Sequence, residues 1–279
     1  MKVTLIDYTG KGILTPAAVP AEEAHISAEA RHAANVLVFT KSTRLEMKPE
    51  LMDEIANRPW SEIEKELDYM SRTIPSSWEF VDYTFLITDV TRAFTHQFVR
   101  TRTGSYAQQT MRVLNVSGWD YATGPGLRCF EQNYLSQDLS CVSRVENPRD
   151  WYDREMNMIQ MTYQEMIKAG VPVEDARGIL PTNILTNIAA KFSLRTLCDL
   201  VRKRSSSRTQ GEYRDVLDGM KSEVVRVHPW AVKFLERDFD RAAEELEDHV
   251  IGLAERSLGA VTRDEVTTMI KLIDQMRQS

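Results

Sequence analysis

The sequence predicts an α/β (α+β) protein, with a central mixed or antiparallel sheet flanked by long helices and extra helices at the C-terminus. Three observations lead there. Short runs of alternating apolar residues, at Val3 and Leu5, at Tyr83, Phe85 and Ile87, and around Ile184 and Ile188, carry the period of half-buried strands. Between them lie longer stretches in which apolar residues return every three or four positions, as on one face of a helix. The two kinds of segment interleave without the regular alternation of a doubly wound parallel sheet, which leaves an antiparallel or mixed one.

Taken in order, residues 2 to 8 form the first expected strand, ending in the turn Thr9-Gly10-Lys11-Gly12 and a loop from Pro16 to Pro20. Ser27 is placed to cap a helix whose inner face is Ala30, Ala33, Ala34, Leu37 and Val38. A second short helix is expected from Pro49 to Asn57. A third is expected to open at Ser61, where Ser61 and Glu64 have the spacing of a capping box ahead of Ile63, Leu67 and Met70. The stretch from Ile74 to Phe80 breaks the pattern before a strand at about 81 to 88, and Phe94 and Phe98, one turn apart, place Arg100 and Arg102 just past a helix end.

Residues 113 to 150 show no sustained period and contain Gly124-Pro125-Gly126, so a long loop or short-stranded insert is expected. Tyr152, Met156, Ile159, Tyr163 and Met166 then mark a helix over 150 to 169, stopped by Gly170 and Pro172, with its methionines filling core. Ser193 can cap a helix carrying Leu194, Leu197 and Val201. Residues 212 to 227 continue as a helix with Tyr213, Val216, Leu217, Met220 and Val224 inward, closed by His228-Pro229-Trp230. Leu246, Val250 and Leu253, then Val266, Ile270 and Ile273, define two amphipathic helices that read as an appendage or a subunit contact.

Composition narrows the function. A chain of 279 residues, 42% hydrophobic and 27% charged, can bury a full core. Its net charge of -6 disfavours general attraction to nucleic acid, so any anion site must be a local concentration of arginine, suited to a small ligand. Cys129, Cys141 and Cys198 lack the close pairing of a zinc site or redox dithiol and are expected to be reduced thiols in a cytoplasmic protein. With no signal-peptide pattern and no long apolar run, neither secretion nor membrane spanning is expected. No Ser-His-Asp set, metal cluster or phosphate-binding glycine loop can be assembled from spacing, so a catalytic site here must draw its reactive atom from a bound cofactor.

The stretch His96 to Arg112 supplies the local arginine concentration. Arg100, Arg102 and Arg112 lie among Gln97, Gln108 and Gln109 and several hydroxyls, a composition that fits phosphate oxygens. It resembles the signature of the flavin-dependent thymidylate synthases, in which Arg-His-Arg is followed after seven residues by Ser and Gly-Arg-Tyr. Arg100, Arg102 and Arg112 stand at the family's arginine positions and Gln97 at its preceding glutamine. The departures are Thr101 for His, Gln108 for Glu, Thr110 for Ser, Met111 for Gly and Val113 for Tyr.

A second stretch strengthens the resemblance. Ala176, Arg177, Leu180 and Pro181 match the family's Ala-Arg-x-x-Leu-Pro. In ungapped register from Arg177, its Asn-x-Arg-Ser-Leu-x-Asn pattern and following arginine fall on Ser193, Arg195, Thr196, Leu197, Asp199 and Arg204, and its Gln-x-Glu on Gln210 and Glu212. Glu79, with Ser76 or Ser77, echoes a further family motif and reads equally as a strand-start carboxylate. Arg208 stands where the family has His. The resemblance covers residues 1 to 235, implying a catalytic domain there and a helical extension over 236 to 279.

The resemblance implies an enzyme that binds FAD, takes a one-carbon unit from methylenetetrahydrofolate to C5 of a pyrimidine deoxynucleoside monophosphate, and draws electrons from NADPH. It also implies a homotetramer with shared active sites, and no enzyme nucleophile. Gln97, Gln108, Thr110, Met111, Arg112 and Arg177 would hold the nucleotide, and Arg204 would face the pyrimidine and polarise it. Arg100, Thr101, Arg102, Ser105, Ser193, Arg195, Asp199 and Arg208 would lie around flavin and folate. Three readings stay open: conversion of dUMP to dTMP, a divergent dUMP or dCMP C5 hydroxymethylase or methylase, and a non-catalytic nucleotide or flavin-binding relative.

Overall fold

The computed structural model describes residues 1–15, 21–43, 47–73, 75–116, 118, 120–121, 148–204, 209–235, 267, 269 and 270. In chain order its elements are β1 (Lys2–Tyr8), α1 (Ala28–Lys41), α2 (Pro49–Ala56), α3 (Trp60–Ser71), β2 (Asp82–Thr91), α4 (Arg92–Phe98), β3 (Ser105–Gln108), α5 (Pro148–Lys168), the one-turn α6 (Val173–Ala176), β4 (Leu185–Ser193), α7 (Leu194–Arg204) and α8 (Gly211–Val227). Short 3-10 turns occupy Pro75–Phe80 and Pro229–Phe234. Of the C-terminal stretch, residues 267, 269 and 270 are helical. The other positions of the two expected amphipathic helices, like Cys129, Cys141 and the Gly124-Pro125-Gly126 segment, lie outside the described residues.

The strands form one antiparallel sheet in the order β1-β2-β4-β3. β3 had no counterpart in the sequence reading, because its four residues lie inside the polar arginine run. It is an edge strand, pairing Ser105 with Lys191, Tyr106 with Ala190, Ala107 with Ala189 and Gln108 with Ile188. Ser105 and Ala107 are exposed while Tyr106 and Gln108 turn inward, the alternation a one-sided edge strand needs.

The chain divides into two compact units. The first comprises Met1–Asp7, Thr84–Lys191 and Gln210–Met220, and so holds most of the sheet with α4, α5, α6 and the start of α8. Its aromatic core is built on α4: Phe94 stacks on Phe98 at 4.9 Å, and both meet Tyr213 edge-on at 5.2 and 5.8 Å. A second cluster gathers Met111, Val116, Tyr163, Ala176 and Ile184. On α5, Met156 and Met166 are half-buried as expected, whereas Met158 and Met161 are more than half exposed and fill no core in this unit. A β-carbon on Gly219 would sit 2.9 Å from Val3, so glycine there lets α8 approach β1.

The second unit comprises Tyr8–Tyr83, Phe192–Thr209 and Lys221–Ser279. Ser27 caps α1 as expected, its hydroxyl accepting the Ala30 N–H at 3.1 Å. The Ser61–Glu64 capping box does not form. α3 begins one residue earlier, behind Pro59, so Ser61 is already inside the helix. The orphan N–H of buried Trp60 finds Glu23 Oε1 at 2.7 Å, so a distant carboxylate does the work of a local cap. Trp230 fixes the C-terminal turn by donating its indole N–H to the Ala30 carbonyl at 2.9 Å.

His228 lies at the centre of this second core, fully buried, stacked on Trp230 at 5.2 Å and hydrogen-bonded through Nδ1 to the Tyr83 hydroxyl at 2.8 Å. It is a packing residue of that core. Burial holds its pKa down at about 3, against about 6.5 in an unfolded chain. The unfolded state therefore takes up the proton first. The stability tied to neutral His228 is fully present above about pH 6.5 and is lost as pH falls from there toward about 3. Melting temperatures measured between about pH 7 and 5 should decline, and the decline should be shallower in a His228→Phe variant. An unchanged slope would refute this role.

Candidate functional site

In the first unit three of the expected nucleotide residues, Met111, Arg112 and Arg177, gather at the hydrophobic cluster. Met111 and Ala176 both pack into it, so the residues that follow them, Arg112 and Arg177, emerge beside one another's anchors. Glu174 joins them: Arg112 Nε donates to its carboxylate at 3.0 Å, and Arg177 Nε to its main-chain carbonyl at 3.2 Å. Both arginines and Thr110 are exposed. Met111 is buried, which leaves only its main chain for a ligand. A recess lined by Met156, Ile159, Leu180 and Pro181 opens by the same cluster, but its walls are mostly apolar and do not suit a phosphate.

Sequence reasoning overlooked one cation here. Arg92, the first residue of α4, is half-buried, with its Nε turned to the Met111 sulfur and Nη2 3.5 Å from the Gln109 carbonyl. Burial, then the neighbouring Arg177 charge, lower its pKa, although a guanidinium stays protonated. Its position eight residues ahead of Arg100 lies outside the motif, and its only sequence signal is a cation at a helix start, where the dipole disfavours it.

Two side-chain amide pairs lie in the same unit. Gln97 Nε2 donates to Gln210 Oε1 at 3.0 Å, and Asn187 Nδ2 to Gln109 Oε1 at 3.0 Å. Asn187 Oδ1 accepts the N–H of Asp89, which carries a left-handed φ of 57°. Glu212 receives both the N–H and the hydroxyl of Thr91 at 2.7 and 2.5 Å, tying the start of α8 to α4. Gln108 is one of the departures from the family pattern. Thr95 donates its hydroxyl to the Arg92 carbonyl at 3.2 Å, and its oxygen accepts from Gln108 Nε2 at 2.9 Å. A carboxylate at 108 has no proton to donate and would instead take the Thr95 hydroxyl away from the Arg92 carbonyl.

Of the residues expected around flavin and folate, Arg100, Arg102 and Ser105 are exposed on the turn from α4 into β3. Thr101 is half-buried, and its carbonyl accepts the Tyr106 hydroxyl at 2.8 Å. Burial raises that phenol to about 12, so it remains a donor that pins the turn.

The remaining expected residues belong to the second unit. Ser193 caps α7, accepting the Thr196 N–H at 3.3 Å. Arg195 and Asp199 are exposed one turn apart on α7. Arg195 pairs with Glu79 at 2.7 Å, which brings together two residues 116 positions apart that the resemblance singled out separately. Arg202 lies over the Trp78 ring at 5.8 Å, and Arg204 is the exposed last residue of α7. Arg208 lies outside the described residues. Among the described residues no group of His, Cys, Asp or Glu could hold a metal, and no helix is long and apolar enough to cross a membrane.

A four-stranded antiparallel sheet packed with helices defines an α/β protein. The particular family follows from comparison: the model described as thymidylate synthase complementing protein matches residues 5–230, and the chain belongs to that family. It is 27% identical over 242 residues to the flavin-dependent thymidylate synthase of Clostridium tetani, covering 84% of this chain and 86% of that protein. It is 34% identical over 143 residues to the flavin-dependent thymidylate synthase of Thermococcus onnurineus, covering 51% of this chain and 54% of that protein. The Sulfolobus acidocaldarius protein of the same name is 27% identical over 199 residues, covering 68% and 70%. By family the chain is a methyltransferase-type enzyme.

Proposed function

We propose that this chain moves a one-carbon unit from methylenetetrahydrofolate to C5 of a pyrimidine deoxynucleotide, converting dUMP to dTMP with FAD and NADPH. The observation that carries the reading is the anchoring of Arg112 and Arg177 on one hydrophobic cluster, with Glu174 between them, in a chain whose residues 5–230 match the family. Two exposed guanidinium groups held on a rigid base suit a nucleotide 5′-phosphate. Gln97, Gln108, Thr110 and the Met111 main chain border it, and Arg204 polarises the base.

The donor set also fits a dinucleotide cofactor. Arg100, Arg102 and Ser105 are exposed cations and a hydroxyl of the kind a diphosphate takes, and the family register adds Ser193, Arg195 and Asp199. Thr101 and Arg208 complete this set. The flavin, once reduced by NADPH, would supply the reducing equivalents that finish the methyl group. The protein contributes position and charge. We assign catalysis to residues 1–235 and a helical extension to 236–279, with a cytoplasmic homotetramer sharing its active sites.

The test is the mass of the nucleotide formed when purified protein receives FAD, NADPH, methylenetetrahydrofolate and a mixture of dUMP and dCMP. A methyl group on uracil is the expected product. A hydroxymethyl group, a modified dCMP, or unchanged nucleotides beside bound flavin would each overturn the reading.

A further inference from the structure

We infer that Arg92 is a third cation of the phosphate site, one that matches the site to the dianionic form of a 5′-phosphomonoester. This inference rests on the reading of Arg112 and Arg177 as phosphate ligands. The geometry begins at the hydrophobic cluster. Met111 packs with Ala176 and Ile184, and Arg92 bonds through its main-chain N–H to the Ile184 carbonyl at 3.1 Å while turning its Nε to the Met111 sulfur. Its neighbour Ala93 donates to the Thr182 carbonyl at 2.8 Å. Arg92, Arg112 and Arg177 therefore radiate from one anchoring point, each supported by a different segment of chain.

The partners of Arg92 are too weak to account for it. A thioether is a poor acceptor, and the Gln109 carbonyl at 3.5 Å sits at the limit of a hydrogen bond. Among the described residues no carboxylate pairs with it, and the charge that acts on it is the like charge of Arg177. A half-buried guanidinium so placed is costly without an anion. A structural arginine of the ordinary kind is visible for comparison in Arg31, buried against Glu23 and the Arg58 carbonyl.

Charge balance points to the ligand. Glu174 offsets one of the three arginines, and the two positive charges that remain complement a phosphomonoester, which carries about -1.5 to -2 near neutral pH. A neutral nucleoside would leave all of that charge unanswered. Arg92 thus discriminates between phosphate protonation states, as a positioning and binding residue that takes no part in the chemistry at C5.

Binding of dUMP to the flavin-loaded enzyme, titrated calorimetrically at about pH 7.5 and about pH 5.5, on either side of the second phosphate ionisation near pH 6, tests this. Wild type, Arg92→Gln, Arg92→Lys and Arg177→Gln are compared, with flavin content reporting that each is folded. Arg92→Gln is expected to weaken dUMP about 10- to 100-fold at the higher pH, the loss of one charge-assisted contact. It should also shrink the difference between the two pH values, and Arg92→Lys should restore part of both. If Arg177→Gln loses affinity while Arg92→Gln binds as wild type, the inference falls and the phosphate reading stands. If neither variant loses affinity, the phosphate reading falls and takes the inference with it. A loss in Arg92→Gln that is equal at both pH values and unrelieved by lysine would make Arg92 structural and overturn the inference.

Discussion

Replacing Arg204 by glutamine is expected to lower kcat by about 10²- to 10³-fold, while nucleotide affinity changes by less than about tenfold. Arg204 ends α7 in an exposed position, where a cation also suits the helix dipole, so glutamine should leave the helix in place. Its proposed task is to stabilise charge that develops on the pyrimidine as C5 becomes nucleophilic, an interaction stronger in the transition state than in the ground state. Removing such an interaction lowers kcat with little change in binding. Arg204→Lys should recover only part of the rate, since an ammonium lacks the planar fork that can engage two base-edge atoms. Steady-state rates with dUMP, together with dUMP binding to each variant, check the prediction. An unchanged kcat in Arg204→Gln would remove Arg204 from the catalytic role.

Replacing Phe98 by alanine is expected to destabilise the protein by about 3–5 kcal/mol, the usual cost of deleting a buried ring. Phe98 is fully buried between Phe94, Tyr106 and Tyr213, and its carbonyl lies 3.1 Å from the Tyr106 hydroxyl. For a chain of this size each kcal/mol shifts the melting temperature by roughly 2–4 °C, so a fall of about 10 °C is anticipated. The consequence reaches the site, because Arg100 and Arg102 leave α4 directly after Phe98. Flavin content should therefore fall with stability in Phe98→Ala and be largely kept in Phe98→Leu. Denaturant melts showing a loss below about 1 kcal/mol would mean that this cluster does not anchor the turn.

Local pattern carried much of the architecture. Ser27, Ser193 and the spacing of Leu194, Leu197 and Val201 announced their helices because a cap and an apolar stripe act within a few residues of chain. Tyr213, Val216, Leu217, Met220 and Val224 are all buried, as their period required. The capping box at Ser61 misled because Glu23, 37 positions away, satisfies the helix start instead, and no local rule registers such a partner. β3 escaped notice for the same kind of reason: a four-residue edge strand is held by its pairing with Lys191 to Ile188 rather than by its own composition.

The amino-acid sequence by itself determined the α/β class, the arginine-rich stretches and, through two partial motifs in order, the family. Those depend on composition, period and spacing, which are properties of the chain alone. Only the tertiary structure decided that Met111 is spent on packing, that Gln108 bonds to Thr95, that Glu79 meets Arg195, and that Arg92 joins Arg112 and Arg177 on one anchor. Each of those facts is a contact between segments far apart in sequence. Such contacts are set by how the sheet and the hydrophobic clusters bring segments together, and residue spacing carries no record of them.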